Sequence, residues 1–93
     1  MYAAVRRYEG VTDSAEAARL VNEGFVELMR QVSGFVAYYW IDAGDGVMVS
    51  TSVFQDKAGV DDSNRMAAEW VRENIATLLP NPPQITAGEV VAH

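Results

Sequence analysis

The chain contains no cysteine, and that absence removes disulfides, thiolate metal sites, redox dithiols and thiol nucleophiles together. It has one histidine, His93 at the last position, so a Ser-His-Asp triad has no placed base. Basic residues are scarce: Lys+Arg number 7 against 13 Asp+Glu, a formal net charge of −6. That balance repels phosphate backbones and anionic lipid surfaces, and Arg6-Arg7 is the only basic pair. No run approaches the ~18 apolar residues of a spanning helix. The opening MYAAVRRYEG carries charge by Arg6 and lacks the apolar core of a signal peptide. The expectation is a cytoplasmic protein with no membrane and no nucleic-acid partner.

What is present is the composition of a folded chain. The 93 residues are 49% hydrophobic and 22% charged, and they read as a single domain spanning 1–93. A chain this short buries only part of its surface by itself, and a second copy would enlarge its core. MYAAVRRY alternates as a strand, with Tyr2, Ala4, Arg6 and Tyr8 on one face and Ala3, Val5 and Arg7 on the other. Asp13 followed by Glu16 has the form of a capping box and predicts a helix over 13–32. Its apolar stripe is Ala17, Val21, Phe25, Leu28, Met29 and Val32.

Gly24, inside that helix, marks a close approach to a neighbour, and Ser33-Gly34 ends it. Two strands follow, 35–42 and 46–54, joined by DAGDG, whose glycines permit a tight hairpin. A second helical pattern covers 56–79, in which Asp62 or Ser63 offers the capping chemistry for a second start, and Pro80 stops it. QITAGEVVAH closes the chain as a β-branched strand.

The order βαββαβ is the ferredoxin-like α+β arrangement, an antiparallel four-stranded sheet with two helices on one face. The other face is then bare. Yet both parities of the second strand are apolar or aromatic, Phe35, Ala37, Tyr39 and Ile41 against Val36, Tyr38 and Trp40. On the third strand Val47, Val49, Thr51 and Val53 read as the core side, and Met48, Ser50, Ser52 and Phe54 as the semi-polar side. Only another layer can cover the second face, so the chain is expected to pair with itself through its sheet faces.

These features resemble the antibiotic-biosynthesis-monooxygenase-like proteins of the dimeric α+β barrel superfamily. The resemblance rests on the short first strand MYAAVRRY, the Gly-initiated aromatic strand GFVAYYW, the hairpin, and the VFQDKAG junction into the second helix. It implies a homodimeric barrel. For activity it implies a range: cofactor-independent oxygenases of phenolic or quinol substrates, haem-degrading enzymes, small-molecule isomerases and dismutases. Haem degradation would call for an Asn on the first strand, a Trp in the second helix and a His after it. Only Trp70 matches, which argues against haem.

No cofactor is implied by the remaining residues, and no metal. Asp42 with Asp45 and Asp61 with Asp62 are the acidic groupings, read as turn residues and a solvated helix face. Gly44 and Gly46 precede no helix, so they form no phosphate loop. Tyr8 and Phe54 invite comparison with RNA-binding sheets, which the acidic charge opposes. What remains is a pocket for a small aromatic ligand, with candidate residues Arg6, Arg7, Tyr38, Trp40, Ser50, Ser52 and Trp70.

Tyr38, Trp40 and Trp70 would supply walls, Ser50 and Ser52 hydroxyls, and Arg6 or Arg7 an anchor for an anionic oxygen. The competing readings are packing of Tyr38, Tyr39 and Trp40 at the dimer interface, and an ion pair between an arginine and Glu89. The function that follows is a small-molecule-binding dimer acting as a cofactor-independent monooxygenase on an aromatic or quinol-like substrate. The alternative is a non-catalytic ligand-binding or structural dimer module.

Overall fold

The computed structural model describes residues 1–93. Strand β1 is Tyr2–Tyr8, β2 is Phe35–Gly44, β3 is Val47–Phe54 and β4 is Gln84–Glu89. They form one sheet in the order β2-β3-β1-β4, with every neighbouring pair antiparallel. Between β1 and β2 lies one helical rod: α1, Ser14–Leu20, a π-helical segment Val21–Phe25, and α2, Val26–Arg30. Helix α3, Lys57–Asn74, connects β3 to β4. The rod and α3 share one face of the sheet, and this is the ferredoxin-like α+β fold. None of the helices is long and apolar enough to cross a membrane.

Local chemistry accounts for the boundaries. The Glu16 amide donates to the Asp13 carboxylate at 3.1 Å, which caps α1. The reciprocal half of the capping box is not made, because Glu16 pairs with Arg19 instead. Asp56 caps α3 in the same way, accepting from the Gly59 amide at 3.1 Å. With that cap in place α3 runs unbroken through Asp61, Asp62 and Ser63, and the Ser63 hydroxyl turns inward to donate to the Val60 carbonyl at 2.8 Å. The hairpin turns on Asp45 and Gly46, both with positive φ, so β2 runs two residues further than the sequence pattern predicts.

The π segment has a packing reason. Ala17, Val21, Phe25 and Met29 are all buried and all four residues apart. In an α-helix that spacing overshoots a full turn by about 40° per step, so a long series would spiral away from the sheet. One wider turn at Val21–Phe25 offsets the drift and keeps the four on one side.

Two strand assignments are corrected by the sheet register. An irregularity between Phe35 and Ala37 puts Val36 out of step, so Phe35, Tyr38 and Trp40 share the helix-facing side while Ala37, Tyr39 and Ile41 face away. On β3 the side read as semi-polar is the buried one: Met48, Ser50, Ser52 and Phe54 are at most 2% exposed. The valines at 47, 49 and 53 lie on the open face, beside Val5 and Tyr39. Small hydroxyl side chains sit on the inner side because the helices pack closely there; Ser52 is directly opposite Ala4 and its hydroxyl points at the Ala4 carbonyl, 3.5 Å away. Strand β4 ends at Glu89, so Val90 to His93 extend beyond the sheet, with the Val90 amide bonded to the Met1 carbonyl at 2.8 Å.

Candidate functional site

The parity of β1 decides the first question. Arg6 lies between Ala4 and Tyr8 on the helix-facing side and is only 3% exposed. Arg7 points the other way, half exposed, and approaches Glu9 at 3.8 Å. Neither arginine pairs with Glu89, which rules out that ion pair as the explanation for either. Arg6 has no carboxylate partner at all; its one side-chain hydrogen bond runs from Nη2 to the Asn64 amide oxygen on α3. A buried guanidinium with only a neutral partner is costly to fold and is normally matched by an anion.

Aromatic rings enclose Arg6 on its inner side. Tyr8 packs on Trp40 at 5.6 Å between ring centroids, Phe25 meets Tyr38 edge-on at 5.5 Å, and Phe25 meets Trp70 at 5.3 Å. Gly24 makes room for the last of these: a Cβ there would lie 3.2 Å from the Trp70 ring. Together with Arg6 and Ser50 these rings bound an inner chamber of about 10 Å³, space for a single water-sized molecule. The indole N–H of Trp40 is buried there without an acceptor. Burial pushes the Arg6 guanidinium below its ordinary range, opposed by the nearby Tyr8 and Tyr38 phenols. Burial likewise pushes the Tyr8 phenol up, against the pull of Arg6. It pushes Tyr38 well up too, with the Ser50 hydroxyl pulling in the other direction.

The open space lies on the other side of Arg6. A cleft of about 310 Å³ runs between α3, the proline-containing turn at Pro80 to Pro83, and β4, and Arg6, Tyr8 and Val71 are common to it and the chamber. Its size suits a small organic ligand. The site thus has an aromatic wall behind Arg6 that is nearly closed, and a roomy cleft in front of it.

Of the sequence candidates, the structure brings together Arg6, Tyr38, Trp40, Ser50 and Trp70 around the chamber. It does not include Arg7, which faces out, or Ser52, which is enclosed against β1. The interface reading of Tyr38 and Trp40 is overturned, since both face the helices; Tyr39, 63% exposed on the open face, is the one of the three that fits it. Asn64, Arg72 and Asn81 were missed. Asn64 falls on the inner side of α3 by its helical spacing from Val60 and Ala67, both buried, and that spacing is a signal the sequence does carry.

The fold and this helix-side site define the chain as a ferredoxin-like α+β protein with a buried arginine between an aromatic wall and an open cleft. No protein-family model and no curated protein matches its sequence. Among solved structures it is similar to a Nitrosomonas europaea protein of unknown function, at 27% identity and TM-score 0.82 over 99% of this chain and 90% of that one. It is also similar to a Streptomyces coelicolor monooxygenase solved with the ligand nanaomycin D, at 20% identity and TM-score 0.71 over 99% and 92% of the two chains. A further Nitrosomonas europaea protein, described as a candidate antibiotic biosynthesis monooxygenase, aligns at 14% identity and TM-score 0.77 over 99% and 100%. At these identities the likeness to the monooxygenases is one of fold.

Proposed function

We propose that the protein is a cytoplasmic, single-domain homodimer that binds a small aromatic, quinol-like molecule at Arg6 and acts on it as a cofactor-independent monooxygenase. The observation that carries the reading is Arg6: a guanidinium at 3% exposure, without a carboxylate, between a closed aromatic wall and an open cleft. A cation in that setting favours the ionised form of a phenol placed against it, since charge is worth more where water is excluded. An electron-rich phenolate ring can pass electrons to dioxygen directly. A ring C–O bond forms, the O–O bond breaks, the ring C–H proton is lost, and phenol plus dioxygen become quinone plus water. Atoms and electrons balance with no further reductant.

Dimerisation is supported by the open sheet face, where Val5, Tyr39 and Ile41 are 37%, 63% and 47% exposed beside Val49 and Val53. An apolar sheet face of this kind is ordinarily covered by another layer. The non-catalytic reading has its own supporting observation: neither the chamber nor the cleft is lined by a carboxylate or imidazole that could act as base. On the oxygenase reading the phenolic proton leaves to water instead.

Oxygen-electrode assays over a panel of naphthols and hydroquinones, with parallel quenching of tryptophan fluorescence, separate the two. Consumption by wild type and none by Arg6→Gln supports the oxygenase. Quenching without oxygen consumption supports the binding module, and neither signal from any ring refutes both.

A further inference from the structure

The cations of this chain are not distributed evenly. Of its 7 Lys+Arg residues, Arg7, Arg19, Lys57 and Arg65 each lie within 4.0 Å of a carboxylate. The remaining three, Arg6, Arg30 and Arg72, have no such partner, and two of them, Arg6 and Arg72, line the same cleft. Although the chain has 13 acidic residues, not one contributes to that lining. The cleft is therefore a locally cationic, acid-free space on a protein of net charge −6. Its two arginines differ in setting. Arg6 is buried at the inner end, while Arg72 is exposed on α3. The walls between them are apolar, including Val71, Leu79 and Ile85, with the amides of Asn64 and Asn81 as the neutral polar groups. Asn81 is held in place by its bond to the Glu9 carbonyl at 3.1 Å.

We propose that the ligand of this cleft is an aromatic acid carrying two oxygen functions at opposite ends, a phenolic oxygen on Arg6 and a carboxylate on Arg72. This rests on the function proposed above and names the class of substrate. The apolar walls take the ring, and a volume of about 310 Å³ accommodates a two-ring acid. Arg72 meets the carboxylate as a fork of donors, while Arg6 meets the oxygen that becomes ionised. A neutral phenol of the same size makes only one of these contacts and leaves Arg72 in water.

The test compares 2-naphthol with 6-hydroxy-2-naphthoate by calorimetric titration on wild type, Arg72→Gln and Arg30→Gln. Arg30 serves as the control because it is also unpaired but lies on α2, away from the cleft. Wild type is expected to bind the acid at least ~10-fold more tightly, the value of one charge-assisted hydrogen bond. That ratio should fall toward one in Arg72→Gln and stay at the wild-type value in Arg30→Gln. Equal affinity for the two ligands in wild type overturns the inference, as does an equal fall in both variants, which would reflect overall charge. In both cases the function itself still stands, because 2-naphthol binds. If neither compound binds, the reading of Arg6 as an oxygen anchor fails as well.

Discussion

Replacing Arg6 by methionine should make the protein more stable while removing its ability to hold an anionic oxygen. Arg6 is 3% exposed and its charge is met only by the Asn64 amide, so the folded state carries most of the desolvation cost of a cation without an opposite charge. Substituting buried ionic groups by apolar side chains of similar volume is often stabilising by about 1–4 kcal/mol. Part of that is offset by the lost bond to Asn64, worth about 1.5–3 kcal/mol for a charged donor. The Asn64 amide can recover some of this, because it lies at the cleft and can bond to water there. A net gain of about 1 kcal/mol is expected, a Tm rise of about 4–8 °C for a domain of this size. Thermal and urea unfolding without ligand, at one fixed protomer concentration, measures it. Calorimetric titration with 2-naphthol should show affinity reduced by about 10-fold to 100-fold. If Arg6→Met instead loses 2 kcal/mol or more, the guanidinium is a structural group that the chain needs in order to fold, and the argument for an anion at Arg6 is wrong.

Other consequences follow from the same structure. Tyr39→Asp places a charge on the open sheet face, where like charges across a twofold cost several kcal/mol. Dimer affinity should weaken about 100-fold or more while the fold persists, and light scattering that finds an unchanged dimer contradicts the sheet-face interface. Gly59→Ala puts a Cβ 2.9 Å from the Phe54 Cβ, in a core where Phe54 is fully buried. Overpacking of about 1–3 kcal/mol should outweigh the helix-propensity gain of up to about 1 kcal/mol, so Tm falls; a rise refutes the close contact. Burial keeps Tyr8 and Tyr38 neutral in the fold, whereas tyrosines of an unfolded chain ionise near pH 10. The unfolded state then binds fewer protons, so stability falls as pH rises from about 10 toward the raised folded-state values, and these groups have no effect below that range. The double variant Tyr8→Phe, Tyr38→Phe should lose stability less steeply above pH 10, and identical slopes refute the assignment.

The element order, the Asp13 cap and the hairpin were legible in the sequence, because each rests on local chemistry; the end of the second helix was not, since α3 closes at Asn74, with Ile75 out of helical geometry, before the chain reaches Pro80. Face assignment was not legible either. Val36 falls out of register with β3, which moves Phe35 onto the side of Tyr38 and Trp40, and no residue type there announces it. On β3 hydrophobicity pointed the wrong way: the valines occupy the open face, and Ser50 and Ser52 lie under the helices where only small side chains fit. For the arginines, Arg6 and Arg7 are adjacent and chemically identical, so only the three-dimensional fold could say which is buried. Tyr38, Trp40 and Trp70, named from the sequence as pocket walls, line the inner chamber together with Tyr8 and Phe25. That they pack on one another and leave almost no space, with the open cleft in front of Arg6, depends on ring positions that no sequence pattern encodes.

The central claim is that Arg6 is the anchor for an anionic aromatic oxygen. A crystal structure of the protein with a naphthohydroquinone, prepared without oxygen, tests it most directly. The expected result is a ring oxygen within about 3.2 Å of the Arg6 guanidinium and the ring in the cleft between α3 and β4. A ring bound elsewhere, with Arg6 still paired only to Asn64, would contradict it.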